Sequence, residues 1–577
     1  MVTAVTRRLA AVPAVVWCVS GLWLALLVGA SVLWPMSSGY DEVNHIGMAL
    51  VYSVHPFHFY GPGQLHATKV QIALNSVLPS FNHLQSVANH AILPRGHRLS
   101  FQQFGGATIV ADSFPNQMVQ HPPLYYWIEA VLLRVPGVTS IAWDQTVWLM
   151  RLVSVACMAP IPLLCWATTR RMLAGWQGPW RRGQTTTGIV RADLTPRLAL
   201  VGAALPLTIP NMVRDGSSVT NDSLLVLTTS VVLYGVSRVL TGDLGRKTAV
   251  MIAVSLAAAL WTKGFALVLP PVVLVSYLIA WWRRPVSARR IVVLWPPLAI
   301  VAVGAAVGSL WWLRNLVKYG TVQIDGLGPK AQELIYGPPD HAGTLTHFIP
   351  PFVTGFVMRI WGGVGIPDLP DPGPIIEYGW FFAVLIGVVA ALAMRGGAGG
   401  RVRAWILTGA VVLTALVVAE GSFQTYAKWS NALSGVQGRY IYSGITAIAS
   451  VAAVGWLQLS RPRAHAMFAP VVVIGAVVTN AAVWILILRS WYAPAAAASS
   501  HGFVGSAHAL FRWSPLPSAV TLVLVFVLPT LAAVATILVV VQESRRLRRL
   551  LVAEERPVGA EGQPVGASVS DGILANR

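Results

Sequence analysis

The feature that most restricts this chain is the recurrence of long, uncharged apolar runs, the first of them residues 11 to 34. A helix needs ~20 apolar residues to cross the hydrocarbon core of a bilayer. Inside that core the backbone must satisfy its own hydrogen bonds, so such runs become helices. Further spans are expected at 147–168, 198–212, 224–240, 248–261, 265–282, 291–312, 380–394, 404–418, 440–459, 467–488 and 519–541. The run 198–212 is the shortest argument of the set, because Pro206 and Pro210 interrupt it. The expected class is an all-α polytopic membrane protein with about twelve transmembrane helices.

Composition agrees and removes one distraction. Of the residues 55% are hydrophobic and 11% charged, too apolar for a soluble globule. A net charge of +20 invites a nucleic-acid partner, but the basic residues sit at the ends of apolar runs, as the positive-inside rule requires. No nucleic acid is therefore expected. Cys18, Cys157 and Cys165 all lie within apolar runs and read as packing residues rather than a disulfide framework. The first run is too long for a signal-peptide core, so an uncleaved anchor is expected.

Arg7 and Arg8 place the N-terminus in the cytoplasm, and the basic loops through Arg170 to Arg197, Arg283 to Arg290 and Arg545 to Arg549 follow the same side. Both termini are then cytoplasmic, and residues 35–146 form a large first extracytoplasmic loop. Two short amphipathic pieces in it are expected to lie along the membrane interface: one after Asp41, the other from His121-Pro122-Pro123 to Arg134. The paired prolines set the second one's start. Residues 1–460 are expected to form the catalytic core, 461–549 the C-terminal spans, and 550–577, rich in Gly, Glu and Pro, a disordered cytoplasmic tail.

Tyr40-Asp41-Glu42-Val43-Asn44-His45 stands where the first span meets water. In a helix Asp41 and His45 share a face one turn apart, and a carboxylate beside an imidazole suits a general base acting on a hydroxyl. Equally, Ser38-x-x-Asp41 fits a capping box, and acids suit the first turn of any helix. The same side collects Glu42, His121, Asp215, Asp222, Lys263, Arg314 and Arg439. Charges at membrane depth cost ~2.5–3.5 kcal/mol each on insertion scales, so their gathering points to a cavity. Lys263, between two apolar segments with almost no loop, is held at the surface where a lipid phosphate lies; the alternative is a snorkelling boundary residue. Histidines 45, 55, 58, 66, 83, 90, 97 and 121 crowd the first loop. His55-x-x-His58 resembles half a metal site, but Pro56 intervenes and no Cys supports it, so no metal is expected.

Taken in order, Tyr40-Asp41-Glu42, His121-Pro122-Pro123-Leu124-Tyr125-Tyr126, Asn221-Asp222-Ser223, Leu260-Trp261-Thr262-Lys263-Gly264, Trp312-Leu313-Arg314-Asn315 and Gly438-Arg439-Tyr440 resemble the motifs of the GT-C superfamily of membrane glycosyltransferases. The nearest resemblance is to the bacterial relatives of the protein O-mannosyltransferase and aminoarabinose transferase branch. It implies a polyprenyl-phosphate sugar donor and an extracytoplasmic acceptor in the cell envelope (glycan, lipid or protein); no cofactor is expected, a divalent metal being the alternative. It also implies that Asp41 is the catalytic carboxylate, with Glu42 beside it, and that Asp222 is a second acid near the acceptor or a metal. Lys263, Arg314 and Arg439 become candidates for the lipid phosphate, and His45, His121 and Tyr440 complete the substrate-binding set. The chain departs from many such relatives in having no soluble domain after its last spans, so acceptor recognition falls to 55–120 and 321–377.

The chemistry asks for the same parts: a base for the acceptor hydroxyl, cations for the departing phosphate, and a path for the lipid tail. Direct displacement inverts the anomeric centre. A transporter or flippase for a lipid-linked sugar is the competing reading, but it calls for charges and broken helices near the midplane rather than at span ends.

Overall fold

The computed structural model describes residues 12–77, 87, 90–110, 114–174, 194–362, 372–393, 398–433, 435–493 and 502–555. Arg7, Arg8, the basic stretch around Arg181, Arg182 and Arg191, and the tail beyond 555 lie outside them. The described residues are helical apart from turns and three isolated bridges in the first loop, such as His66 with Pro115. The principal helices are α1 (Ala14–Leu33), α2 (Glu42–Val54), α3 (Leu124–Leu133), α4 (Trp143–Met158), α5 (Ile161–Leu173), α6 (Pro210–Gly216), α7 (Asn221–Leu240), α8 (Arg246–Leu260) and α9 (Leu269–Trp282). They continue as α10 (Ile291–Tyr319), α11 (Leu345–Trp361), α12 (Pro374–Leu392), α13 (Ala398–Lys428), α14 (Ile445–Leu459), α15 (Pro462–Tyr492), α16 (Gly502–Trp513) and α17 (Leu528–Glu555).

Among the described residues ten helical segments are long and apolar enough to cross a membrane, and they coincide with ten of the twelve expected spans. The other two differ for local reasons. The run 198–212 breaks at Pro206, within a short turn, and restarts at Pro210, so α6 begins afresh and carries Arg214 and Asp215. All of 200–216 is buried, which makes this broken segment interior rather than lipid-facing. The run 248–261 forms α8, whose 15 residues fall short of a full crossing and end at the Trp261-Thr262-Lys263 turn.

Small residues decide which helices meet closely. A Cβ on Gly304 would stand 2.5 Å from the Ala253 carbonyl oxygen, which lets α10 press onto α8. One on Gly455 would stand 1.7 Å from that of Gly387, locking α14 to α12. In the first loop, α3 starts where Pro122-Pro123 set it and buries Tyr125, Tyr126, Glu129 and Ala130. Ile128 and Val131 stay exposed on its other side. The Trp127 indole donates to the Pro56 carbonyl at 2.7 Å, and the Leu124 amide to the Trp261 carbonyl at 3.2 Å, so the loop is stitched to the end of α8. Its other margin is tied by Arg98, which pairs with Asp144 and donates to the carbonyls of Arg512 and Ser514 at the end of α16.

Candidate active site

Three chain turns meet at one end of the bundle: 35–42 after α1, 214–222 between α6 and α7, and 261–264 after α8. The first two abut so closely that a Cβ on Gly39 would lie 2.5 Å from the Ser218 Cβ. A fourth segment, Gly438–Gly444, packs on the end of α11, where a Cβ on Gly438 would lie 2.3 Å from the Arg359 carbonyl carbon.

Arg151 fastens the first two turns. Its Nε and Nη2 reach the two oxygens of Glu42 at 2.7 Å each, and its remaining N–H groups go to the carbonyls of Ser31, Trp34 and Pro35 at 2.8–2.9 Å. All five guanidinium donors are thus used. Glu42 accepts two more bonds, from the Gly39 amide at 2.9 Å and the Val219 amide at 2.8 Å. Burial alone would raise the Glu42 pKa; the Arg151 charge and these donors overcome it and hold the carboxylate below its ordinary range. Glu42, expected beside Asp41 in the catalytic pair, has its carboxylate enclosed and fully engaged, a joint between turns. Nor does the capping box form: the Ser38 hydroxyl donates to the Pro35 carbonyl at 2.6 Å.

Asp41 stands at the start of α2 with φ +53°, a left-handed backbone that Asp and Asn tolerate better than most residues. Its carboxylate is 34% exposed, against 4% or less for the side chains of Arg439, Asp215 and Asp222. Arg439 Nη2 donates to its Oδ2 at 2.9 Å and Gln117 Nε2 to its Oδ1 at 3.1 Å. Arg439 also lies 3.7 Å from Asp222 and 4.0 Å from Asp215. Lys263 Nζ donates to Asp222 Oδ1 at 2.6 Å and lies 4.8 Å from the centre of the Tyr440 ring. Residues 41, 222, 263, 439 and 440, spread over four hundred positions of chain, therefore form one cluster.

The aromatic partners order the cations. The Tyr40 ring has the Arg214 guanidinium on it at 4.3 Å and that of Arg439 also at 4.3 Å, and its hydroxyl donates to Asn211 Oδ1 at 3.1 Å. Arg214 stacks on Trp34 as well, at 4.4 Å. Asp215, sealed and beside Asp222, is pushed up to about 7, chiefly by burial and then by that neighbouring charge.

Both expected histidines are close by and neutral at ordinary pH. His45 Nδ1 bonds the Tyr126 hydroxyl at 3.0 Å, and burial pulls the ring's pKa down to about 4 against the pull of Asp41. Burial, then the charges of Lys263 and its neighbours, holds His121 well below 6.5. Arg314 is placed elsewhere: its partners are the Asn315 side chain, the Phe59 carbonyl, and the rings of Phe59 and Trp311. Among the described residues no three His, Cys, Asp or Glu side chains gather as a metal site, and His58 packs edge-on to Tyr60 instead.

Sequence reasoning did not pick out Gln117, which stands in no motif, nor the stacking of Arg214 on Tyr40. Nor did it give a partner to Arg151, which lies near one end of the run 147–168. A lone arginine in an apolar run was the available signal, since such a charge must find a counter-ion.

Comparisons with known proteins bear on this cluster. Residues 187–312 match the family described as dolichyl-phosphate-mannose-protein mannosyltransferase. No protein of curated function matches. Among solved structures, ArnT from Cupriavidus metallidurans bound to undecaprenyl phosphate shares 16% identity at a TM-score of 0.41, covering 93% of this chain and 77% of that one. The arabinosyltransferase EmbB from Mycobacterium smegmatis shares 15% at 0.38, covering 96% and 42%. The Archaeoglobus fulgidus oligosaccharyltransferase shares 12% at 0.35, covering 90% and 55%. The family match falls on the stretch that supplies Asp215, Asp222 and Lys263 to the cluster. Over that stretch the chain is similar to the dolichyl-phosphate-mannose-protein mannosyltransferase family.

Proposed function

We propose that this protein transfers a sugar from a polyprenyl-phosphate donor to a hydroxyl on an extracytoplasmic acceptor, with Asp41 as general base. The observation that carries this reading is the contrast in exposure within one cluster: an open Asp41 carboxylate against enclosed Lys263 and Arg439. A base must reach an incoming acceptor, whereas charges that stabilise a leaving phosphate work best out of water.

In the proposed step the acceptor oxygen attacks the anomeric carbon as Asp41 takes its proton. The bond from that carbon to the phosphate oxygen breaks, and the polyprenyl phosphate departs with the electron pair, inverting the centre. Arg439 binds Asp41 at 2.9 Å before substrate arrives. A donor phosphate drawing Arg439 away would free the base when it is needed. Lys263 meets the same phosphate while Tyr440 keeps both cations in place. Neutral His45 and His121 offer hydrogen bonds to sugar hydroxyls without adding charge. With two cations to receive the phosphate, the step draws on no metal ion.

The testing measurement is sugar release from a panel of radiolabelled polyprenyl-phosphate sugars by membranes holding the protein. Loss of transfer in Asp41→Asn with normal expression supports the assignment; full activity in that variant refutes it.

A further inference from the structure

We propose that the cavity enclosed by α1, α15 and α17 binds the acyl chain of a bilayer phospholipid, drawn from the leaflet on the Asp41 side. The cavity holds about 480 Å³, and its walls include Leu26, Asn480, Trp484, Leu488, Phe526 and Ala533. A dry cavity of ~150 Å³ accepts one benzene ring, so this one has room for a chain of many methylenes. Along α15 its lining runs from Val477 to Leu488, which at ~1.5 Å per residue is ~16 Å, half of a ~30 Å core and so one leaflet deep.

Three observations identify the occupant. The mouth is rimmed by Ile485, Phe503 and Val534, which are 43%, 58% and 52% exposed on spans or beside them, so the medium it opens onto is hydrocarbon. The wall on the α17 side is a π-helical turn, Val523–Val527, where the Trp484 indole donates to the Val525 carbonyl at 3.1 Å. Such turns are uncommon and gather at functional positions. Gly29 lets α1 reach that turn, since a Cβ there would lie 2.9 Å from the Leu524 carbonyl oxygen. At the deep end, Asn480 donates to the carbonyls of Leu207 and Ala476 at 2.7 and 2.8 Å, which turns its Oδ1 away from them. That oxygen is buried with no partner on a residue 2% exposed, a place where a weak C–H···O contact from a chain is available.

The tail of the donor is a different matter. Lys263 follows α8, which packs on α7 and α10, whereas α17 packs on α1 and α15. The cavity thus lies against the far side of α1, and its occupant is a structural lipid. Above it, the Tyr492 hydroxyl donates to the Leu33 carbonyl at 2.8 Å and Trp34 meets Trp491 edge-on. A chain seated below these contacts braces the helix whose end delivers Asp41.

The test uses the full chain purified in detergent, with phosphatidylglycerol as the added lipid. Wild type is expected to retain phospholipid through extended washing and to gain thermal stability on addition, as a ligand of the folded state must. Ala533→Phe and Ala481→Trp, both filling the cavity, are expected to lose the retained lipid and the stability response. Ala535→Phe, exposed and outside the lining, keeps both. Retention of phospholipid in the filled variants overturns the proposal, as does a wild type that carries a polyprenyl phosphate instead. Should the filled variants not fold, p-benzoylphenylalanine at Phe503 decides: photocapture of phospholipid supports the site, and no capture overturns it.

Discussion

Arg151 and Arg439 are both buried arginines facing carboxylates, and they are treated in opposite ways. Arg151 has every donor bonded and its partner Glu42 is saturated in turn. Arg439 leaves Nε and Nη1 without a hydrogen-bond partner, as Asp215 does both oxygens, Asp222 its Oδ2 and His121 its Nδ1. Native proteins pair almost all their buried polar atoms, so a concentration of unpaired ones has a meaning. The satisfied region is a joint that fixes backbone. The unsatisfied region is laid out for groups that arrive from elsewhere, and it lies beside the one open carboxylate of the cluster.

The largest expected effect breaks the joint. Arg151→Met strands the Glu42 carboxylate, and removing one partner of a buried pair costs ~3–5 kcal/mol. Thermal unfolding should show the protein severely destabilised, with transfer lost because little of it folds. If Arg151→Met unfolds like wild type, the joint has been misread. The unsatisfied side predicts the reverse pattern. Asp41→Asn should lower transfer ~10²–10⁴-fold, the usual span of a general base, at unchanged unfolding temperature, since Asn accepts a left-handed backbone. Lys263→Met is expected to weaken use of the donor strongly while leaving the acceptor KM unaltered. An equal rise in both would detach Lys263 from the phosphate.

Asp215 sharpens the comparison through pH. Its folded-state pKa of about 7 lies above its unfolded value, so the folded protein binds the extra proton between those limits. The stability this group contributes should therefore be full below its unfolded value of ~3.9, decline as pH rises from there to about 7 and be level above it, and Asp215→Asn should flatten that decline. A slope unchanged in the variant would place the titrating group elsewhere. Smallest of all, chelation with EDTA should leave the transfer rate unchanged, and recovery of a lost rate by added divalent cations would end the metal-free mechanism.

How legible was this in the chain? The spans were, because twenty uncharged residues admit few structures, and ten of twelve stand where hydropathy put them. The exceptions are a proline break and a short helix, where length rather than polarity decides. In the cluster, Asp41, Asp222, Lys263 and Arg439 were visible as charges beside apolar runs. Their pairing was not, since Arg439 and Asp41 are brought to 2.9 Å by tertiary packing alone. The surroundings of Glu42 and Arg314 were not legible either: tertiary packing encloses the Glu42 carboxylate with Arg151 and lays Arg314 against aromatic rings.

The positive φ of Asp41 closes off most ways for the position to drift. Side chains other than asparagine or glycine meet a backbone they resist, and those two carry no proton acceptor of the required strength. Mutation at this site should thus seldom yield half-active intermediates: lineages keep the aspartate, or they inherit a sound but silent fold.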